Sequence, residues 1–231
     1  MRNLSHRLCS IHRFLVRHSL YPLVLSSLLA IALLAGRIYR SRSITYAFLV
    51  WNLLLAWIPY LSSLWADHVQ RRRSRWWCLL APGALWLVFF PNAPYIITDF
   101  LHLQKRAPIP LWYDIGLLSA FAWTGLFLAV VSLRTMQRLV KHYAGSILGW
   151  VFVAAVTGLS GLGIYMGRFL RWNSWDLFLH PRSVLGDVAA RLAHPWDNPG
   201  AFGVTFLFAA ILLVCYLTMT TAREPAGEQV R

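Results

Sequence analysis

Long apolar stretches that contain no charged residue alternate along this chain with short polar connections. Six stretches are long enough to cross a bilayer, because about 20 apolar residues at roughly 1.5 Å rise span a hydrocarbon core of about 30 Å. They predict helical spans at about 21–38, 44–65, 76–97, 113–133, 145–166 and 201–221. The pattern therefore predicts an all-α fold, a polytopic membrane bundle of six transmembrane helices.

Three segments outside these spans have patterns of their own. Residues 1–20 alternate Arg and His with apolar residues, which favours an interfacial helix on an anionic leaflet, with a disordered basic tail as the alternative. Residues 222–231 form a short cytoplasmic tail behind the six-span domain at 21–221. Residues 184–192 place apolar side chains at the spacing of an amphipathic helix, with Ser183 as the expected N-cap. This helix is predicted to lie on the outer interface.

The third and fifth spans contain residues that are unusual in a plain membrane helix. Pro91 and Pro94 remove backbone donors near the end of the third span and predict a broken helix. Non-helical backbone at that depth must be buried in protein or line a polar cavity, so the break indicates a binding pocket, with a simple kink as the alternative. Small residues in the fifth span predict close helix packing. They are Gly158, Ser160, Gly161, Gly163 and Gly167.

Composition excludes two broad classes. The chain has 231 residues, of which 58% are apolar and 13% charged, and this is too apolar for an ordinary soluble domain. Its net charge of +14 does not indicate nucleic-acid binding, because the arginines lie between apolar segments instead of forming one basic face. They are interpreted as topology signals and lipid headgroup contacts, with the bilayer as the partner.

The distribution of charge over alternate connections predicts the orientation. The side that carries both termini has 13 Lys and Arg residues and the other side has nine, so both termini are predicted to be cytoplasmic. Five of the eight acidic residues fall on the other, outer side. They are Asp99, Asp114, Asp176, Asp187 and Asp197.

Three short outer strings collect the residues that could carry chemistry. They read PNAPYIITDFLHL at 91–103, WYD at 112–114 and GRFLRWNSWD at 167–176. In this order, between apolar spans, the strings resemble a bacterial membrane family catalogued as domain of unknown function 1361, over about 30–220. The resemblance implies a multi-pass protein of the bacterial inner membrane with no established activity.

The outer strings supply candidates for catalysis and for substrate binding. A general base or ligand group is expected among Asp99, His102, Asp114 and Asp176. Arginine forks match carboxylate and phosphate oxygens, and amide and phenol groups add hydrogen bonds. The substrate-binding candidates are Asn92, Tyr95, Tyr113, Arg168, Arg171 and Asn173. If the third and fifth spans are neighbours, Asp99 and Asp114 would face Arg168, Arg171 and Asp176.

These residues leave three functional hypotheses open. The first is an outer site that binds or processes an anionic or lipid-linked substrate. The second is a structural or assembly protein with a membrane-protein partner, in which Asp99 pairs with Arg168, or Asp176 with Arg171, only to clamp helix ends. The third is a transporter subunit, which the scarcity of ionisable groups inside the spans disfavours.

No cofactor is required by the sequence, and a divalent metal is an alternative. Asp99 and His102 are three residues apart, and Asp176 and His180 are four apart, so each pair would share one helix face. Two such pairs could hold a cation with an open position for water. The opposing interpretation is that the histidines are ordinary hydrogen-bonded interfacial residues.

Overall fold

The computed structural model describes residues 15–16, 18–72 and 75–221, and the described part is built from helices. This confirms the predicted all-α class for that part of the chain. The α-helices are α1 (Leu20–Ser41), α2 (Phe48–Arg71), α3 (Leu80–Phe89), α4 (Asn92–Tyr95), α5 (Leu111–Phe169), α6 (Asp176–Leu179), α7 (Pro181–Ala193) and α8 (Pro199–Thr221). Short 3₁₀ helices cover Trp76–Leu79, Ile96–His102 and Pro195–Asp197.

Five helical segments are long and apolar enough to cross a membrane. They are Leu20–Ser41, Phe48–Arg71, Trp76–His102, Leu111–Phe169 and Pro199–Thr221. Large apolar side chains project from them, with Ile147 81% and Phe206 77% exposed. Such extensive apolar exposure suits contact with lipid better than contact with water. The predicted count of six is not confirmed, because the fourth and fifth predicted spans lie in one helical segment, Leu111–Phe169, which is interrupted at Gly145.

α5 reverses its direction at Gly145. This residue has φ 86° and ψ 170°, a conformation that glycine adopts readily because it has no Cβ atom. A straight helix would place Gly125 and Gly163 roughly 57 Å apart, yet Gly125 lies against the Ala93 carbonyl and Gly163 against Pro91. We call residues 111–144 the first arm and residues 146–169 the second arm, and the two run in opposite directions.

The third predicted span is broken where its prolines lie. α3 ends at Phe89, the four-residue α4 follows, and the chain continues as the 3₁₀ helix Ile96–His102. Pro91 and Pro94 have no backbone N–H, so the hydrogen-bond ladder is interrupted at both positions. The break lets this segment contact both arms of α5.

The segment 170–198 between α5 and α8 forms the short α6 and then α7. The predicted amphipathic helix is present, but Ser183 is not its N-cap. α7 begins three residues earlier than that cap implies, with Pro181 in its first turn and His180 as the N-cap. Proline suits this turn because the missing N–H would have had no helical partner there. The N-terminal interfacial helix and the cytoplasmic tail fall largely or wholly outside the described residues.

α5 is the centre of the bundle. It packs against α8, α2, α1 and α4. In the second arm, Gly161 lies directly against the Thr205 carbonyl of α8, where a Cβ atom would collide with the backbone. The prediction that small residues serve packing is therefore confirmed at Gly161 and at Gly163, which lies against Pro91, and it is wrong at Gly158, where no atom would approach a Cβ within 4 Å.

Candidate functional site

Asp99 lies at the centre of a buried polar cluster where the broken third span meets the end of α5. Its side chain is 1% exposed. Asn52 Nδ2 donates to Oδ2 at 2.9 Å, and Arg168 Nη2 donates to Oδ1 at 2.5 Å. Both carboxylate oxygens thus have partners. We call Asn52, Tyr95, Thr98, Asp99 and Arg168 the Asp99 cluster.

Arg168 is held in place by more than its ion pair. Its Nε and Nη2 donate to Thr98 Oγ1 at 2.8 and 2.6 Å. The guanidinium lies 4.5 Å from the centre of the Tyr95 ring, a cation–π distance. Thr98 in turn donates its hydroxyl to the Tyr95 carbonyl at 2.7 Å. The guanidinium is consequently oriented towards the protein.

Asp114 lies at the same end of the bundle but pairs with a different helix. Arg37 of α1 donates from Nε to Oδ1 at 2.7 Å and from Nη2 to Oδ2 at 3.2 Å, and both side chains are buried. The Arg37 guanidinium also lies 4.3 Å from the centre of the Tyr46 ring. The expectation that Asp114 would face Arg168 is therefore wrong, because Arg37 forms this bidentate pair.

Tyr46 belongs to the connection between α1 and α2 and ties the Asp114 pair to the broken span. Its hydroxyl donates to the His102 carbonyl at 3.0 Å. Burial raises the pKa of the Tyr46 phenol, which keeps the hydroxyl protonated as a donor. The two ion pairs are thus connected through the 3₁₀ helix that contains Asp99 and His102.

A groove of about 380 Å³ opens beside the Asp99 cluster. Four elements form it: α2, the broken third span, the second arm of α5 and the segment after α5 that includes α7. Apolar side chains such as Leu55, Leu87 and Leu162 line one part. The polar part is formed by Asn52, Asn92, Tyr95, Asn173 and Ser174, together with Trp51, Trp172 and Trp175. The volume lies within the usual range for small-molecule sites.

The polar part of the groove is fixed by contacts between distant segments. Asn92 Nδ2 donates to Ser174 Oγ at 2.7 Å and to the Phe89 carbonyl at 2.9 Å. Trp51 and Trp175 meet edge to face, with ring centroids 6.5 Å apart. The residues that the structure describes around the groove include amides, hydroxyls and aromatic rings but no charged side chain. This lining suits a neutral hydrogen-bonding group next to an apolar chain.

α7 forms one wall of the groove through Val184 and Val188. Trp172 Nε1 donates to Asp187 Oδ2 at 2.7 Å and so ties α7 to the end of the second arm. Asp187 also pairs with Arg191, whose Nη1 lies 3.3 Å from Oδ1. The amphipathic pattern at 184–192 indicated this helix, whereas its role as a groove wall had no sequence signal.

The remaining candidates of the third string do not form the expected clamp. Asp176 Oδ2 accepts hydrogen bonds from the Asn173 backbone N–H at 2.7 Å and from Asn173 Nδ2 at 3.2 Å. Arg171 is exposed with φ 61° and makes no ion pair with Asp176 in the described structure. Asp176 therefore stabilises the turn before α6, and Asn173 alone of these three lines the groove.

Tyr113 and the two candidate histidines lie away from the groove lining. Tyr113 donates its hydroxyl to the Leu33 carbonyl at 2.8 Å and so joins α5 to α1. The His102 ring packs on Phe48 with centroids 5.0 Å apart. His180 is exposed between α6 and α7. Within the described ranges, no group of three or more His, Cys, Asp or Glu side chains could hold a metal ion.

The helices and the cluster together define a helical protein whose long segments suit a membrane. The chain belongs to the family described as a protein of unknown function, DUF1361, whose model matches residues 51–215. This match confirms the family to which the three strings pointed, over a shorter range than expected. It includes every residue that lines the groove, whereas Arg37 falls outside it. No curated protein and no solved structure matches the chain.

Proposed function

We propose that this chain crosses a bacterial inner membrane six times, with both termini in the cytoplasm and the groove at the outer side. The reversal at Gly145 supports two separate crossings by the arms of α5. An even number of crossings brings both termini to the side with more Lys and Arg residues, in keeping with the positive-inside rule. The groove and the Asp99 cluster then face the outer leaflet.

Cysteine accessibility tests this orientation. In a variant that has Cys9, Cys78 and Cys215 replaced by alanine, we expect His180→Cys to react with a membrane-impermeant maleimide on intact cells, because His180 is exposed in the outer segment. Arg72→Cys, exposed behind α2, should react only after permeabilisation. The reverse labelling pattern, or equal labelling of both sites on intact cells, contradicts the proposed orientation.

The groove is proposed to bind an amphiphile that has a neutral, hydroxyl-bearing head and an apolar tail. The observation that carries this proposal is the lining itself, with amides, hydroxyls and indole rings at one end and leucines at the other. Asn52 and Asn173 each have a second N–H besides the one that binds Asp99 or Asp176, so with their amide oxygens they can both donate to and accept from a hydroxyl-rich head such as a sugar. The tail would lie between α3 and the second arm.

This proposal keeps the lipid-linked substrate expected from the sequence and changes its charge. Arg168 was the expected anion ligand, but Thr98 and Asp99 occupy the donors on its Nε and Nη2. An anionic head in the groove would meet no described cationic side chain. The same contacts favour the clamp interpretation of Asp99 and Arg168, in which the pair supports the groove wall. The transporter alternative has no specific observation in its favour.

A tail-labelled dansyl monoglucosyl diacylglycerol is a suitable probe for the groove. We expect it to bind the purified full chain in phosphatidylcholine nanodiscs more tightly than the equally labelled diacylglycerol without a sugar. Leu162→Trp should lower the probe's affinity about fivefold or more, because a larger side chain in a packed site costs about 1–3 kcal/mol. The affinity is measured by energy transfer from the protein's tryptophans to the dansyl group, corrected for the tryptophan that the variant adds.

Val151→Trp is the matched control for this experiment. It adds the same side chain to the same arm, at an exposed position outside the groove lining, so the probe's affinity should stay at the wild-type value. Equal affinity for the sugar-bearing and headless lipids, or an unchanged affinity in Leu162→Trp, would refute the groove assignment. Tighter binding of a phosphatidylglycerol probe would instead reinstate an anionic substrate.

A further inference from the structure

A second cavity, of about 370 Å³, lies at the end of the bundle opposite the Asp99 cluster. It is lined by His18 and Ser19 just before α1, by the stretch 127–138 of the first arm and by the end of α8. Arg134 is 20 residues beyond Asp114 on the first arm, which separates the two ends by roughly 30 Å. The lining residues are His18, Ser19, Phe127, Val130, Val131, Arg134, Thr135, Arg138, Met219 and Thr220.

Two arginines one helical turn apart give this cavity its charge. Arg134 and Arg138 share one face of the first arm, and like charges at this spacing destabilise a helix unless an anion is present. Arg134 is half-buried and makes no ion pair in the described part of the chain. Arg138 Nη2 donates to Thr135 Oγ1 at 3.2 Å, which directs its side chain along the wall with the hydroxyl.

Asp67, a described carboxylate at this end, is already paired with Arg71. Asp67 accepts a hydrogen bond from Arg71 Nε at 2.6 Å and lies 3.4 Å from His18 Nε2. The His18 segment is fixed by α2, because the buried Tyr60 donates its hydroxyl to the His18 carbonyl at 3.0 Å. The part of the cavity wall at His18 is thus held in place, and Arg134 adds a positive charge that forms no ion pair among the described residues.

We propose that this cavity binds a phosphate-bearing anion. Guanidinium groups bind phosphate oxygens through short charge-assisted hydrogen bonds. The hydroxyls of Thr135 and Thr220, which donate to backbone carbonyls of their own helices, keep this part of the wall polar. Phe127, Val130 and Met219 form an apolar part next to them. An anionic phospholipid, whose phosphate and first acyl carbons meet both parts, fits this combination; a soluble phosphate shares the same chemistry. This site does not depend on the function proposed for the groove.

Short-chain lipids in detergent test the site on the purified full chain. Dihexanoyl phosphatidylglycerol, dihexanoyl phosphatidylcholine and inorganic phosphate are titrated separately, and the rise in thermal midpoint gives each affinity. We expect phosphatidylglycerol to bind roughly tenfold tighter than phosphatidylcholine. The double variant Arg134→Gln/Arg138→Gln should lose this preference. A response restricted to the lipid identifies a membrane source, and an equal response to inorganic phosphate identifies a soluble one.

Arg72→Gln/Arg75→Gln is the charge-matched control, since both side chains are exposed and neither lines the cavity. It should keep the wild-type preference. The proposal is overturned if the unmodified protein binds the two lipids with equal affinity and does not respond to inorganic phosphate. This comparison tests the proposal even if the double variant does not fold. A preference that survives in Arg134→Gln/Arg138→Gln overturns it as well.

Discussion

Replacing Asp114 by alanine should destabilise this protein more than any other single change considered. The substitution leaves the Arg37 guanidinium, 2% exposed, without its bidentate partner in a buried site. Breaking a buried pair by removing one member costs about 3–5 kcal/mol, because the other charge remains desolvated and uncompensated. The free energy of unfolding, measured by SDS titration of the purified protein in mild detergent, should fall by this amount.

Two controls separate the buried charge from the loss of a contact. The double variant Arg37→Met/Asp114→Leu removes both charges and should recover most of the loss, since apolar residues of similar volume often replace a buried pair without cost. Arg191→Ala breaks the Asp187 pair, in which Asp187 is 39% exposed, and should cost about 0.5 kcal/mol or less. A double variant as unstable as Asp114→Ala would disprove the explanation by uncompensated charge.

Replacing Asp99 by alanine is expected to have the second largest effect. Arg168 would lose its carboxylate and Asn52 its acceptor in one buried cluster, at a cost of about 3 kcal/mol. The substitution should lower the free energy of unfolding and the abundance of the protein. Asp99→Asn should be milder, because its one oxygen still accepts from Arg168 and its amide nitrogen can donate to the oxygen of Asn52 once the Asn52 amide turns over.

The same pair of variants distinguishes a clamp from a catalytic base. Under the clamp interpretation, Asp99→Asn retains binding of the glycolipid probe and any cellular function in proportion to the folded protein that remains. Under the catalytic hypothesis, it abolishes function while abundance and probe binding stay normal. The second result would show that the Asp99 carboxylate has a chemical role beyond supporting the groove wall.

Several features at the end of the bundle that holds the Asp99 cluster follow from local sequence pattern alone. Pro91 and Pro94 predicted the broken third span because proline removes a donor wherever it occurs in a helix. The small residues predicted close packing, and Gly161 provides it against Thr205. The pairing of Asp99 with Arg168 was expected as a clamp because an unpaired charge near a bilayer is costly. Each inference needed only the residue's chemistry and its place on the chain.

The partner of Asp114 could not be found in this way. Arg37 is 77 residues distant along the chain, and the pairing depends on how α1 lies against the first arm of α5. Three arginines, Arg37, Arg40 and Arg42, occur close together at this end of α1. Only the helix rotation decides which one turns inward, and neither periodicity nor composition specifies that rotation. The neutral lining of the groove depends in the same way on four separate segments.

The sequence by itself determined the helical class, the long apolar segments and the end of the bundle where polar residues collect. These properties depend on side-chain polarity and on backbone donors within a few residues, so they can be read along the chain. Only the tertiary structure decided which charges neutralise one another and which groups remain to line a cavity. In the folded protein Asp99 is buried together with Arg168, because burying an unpaired charge is too costly. Amide and indole groups are left to line the groove.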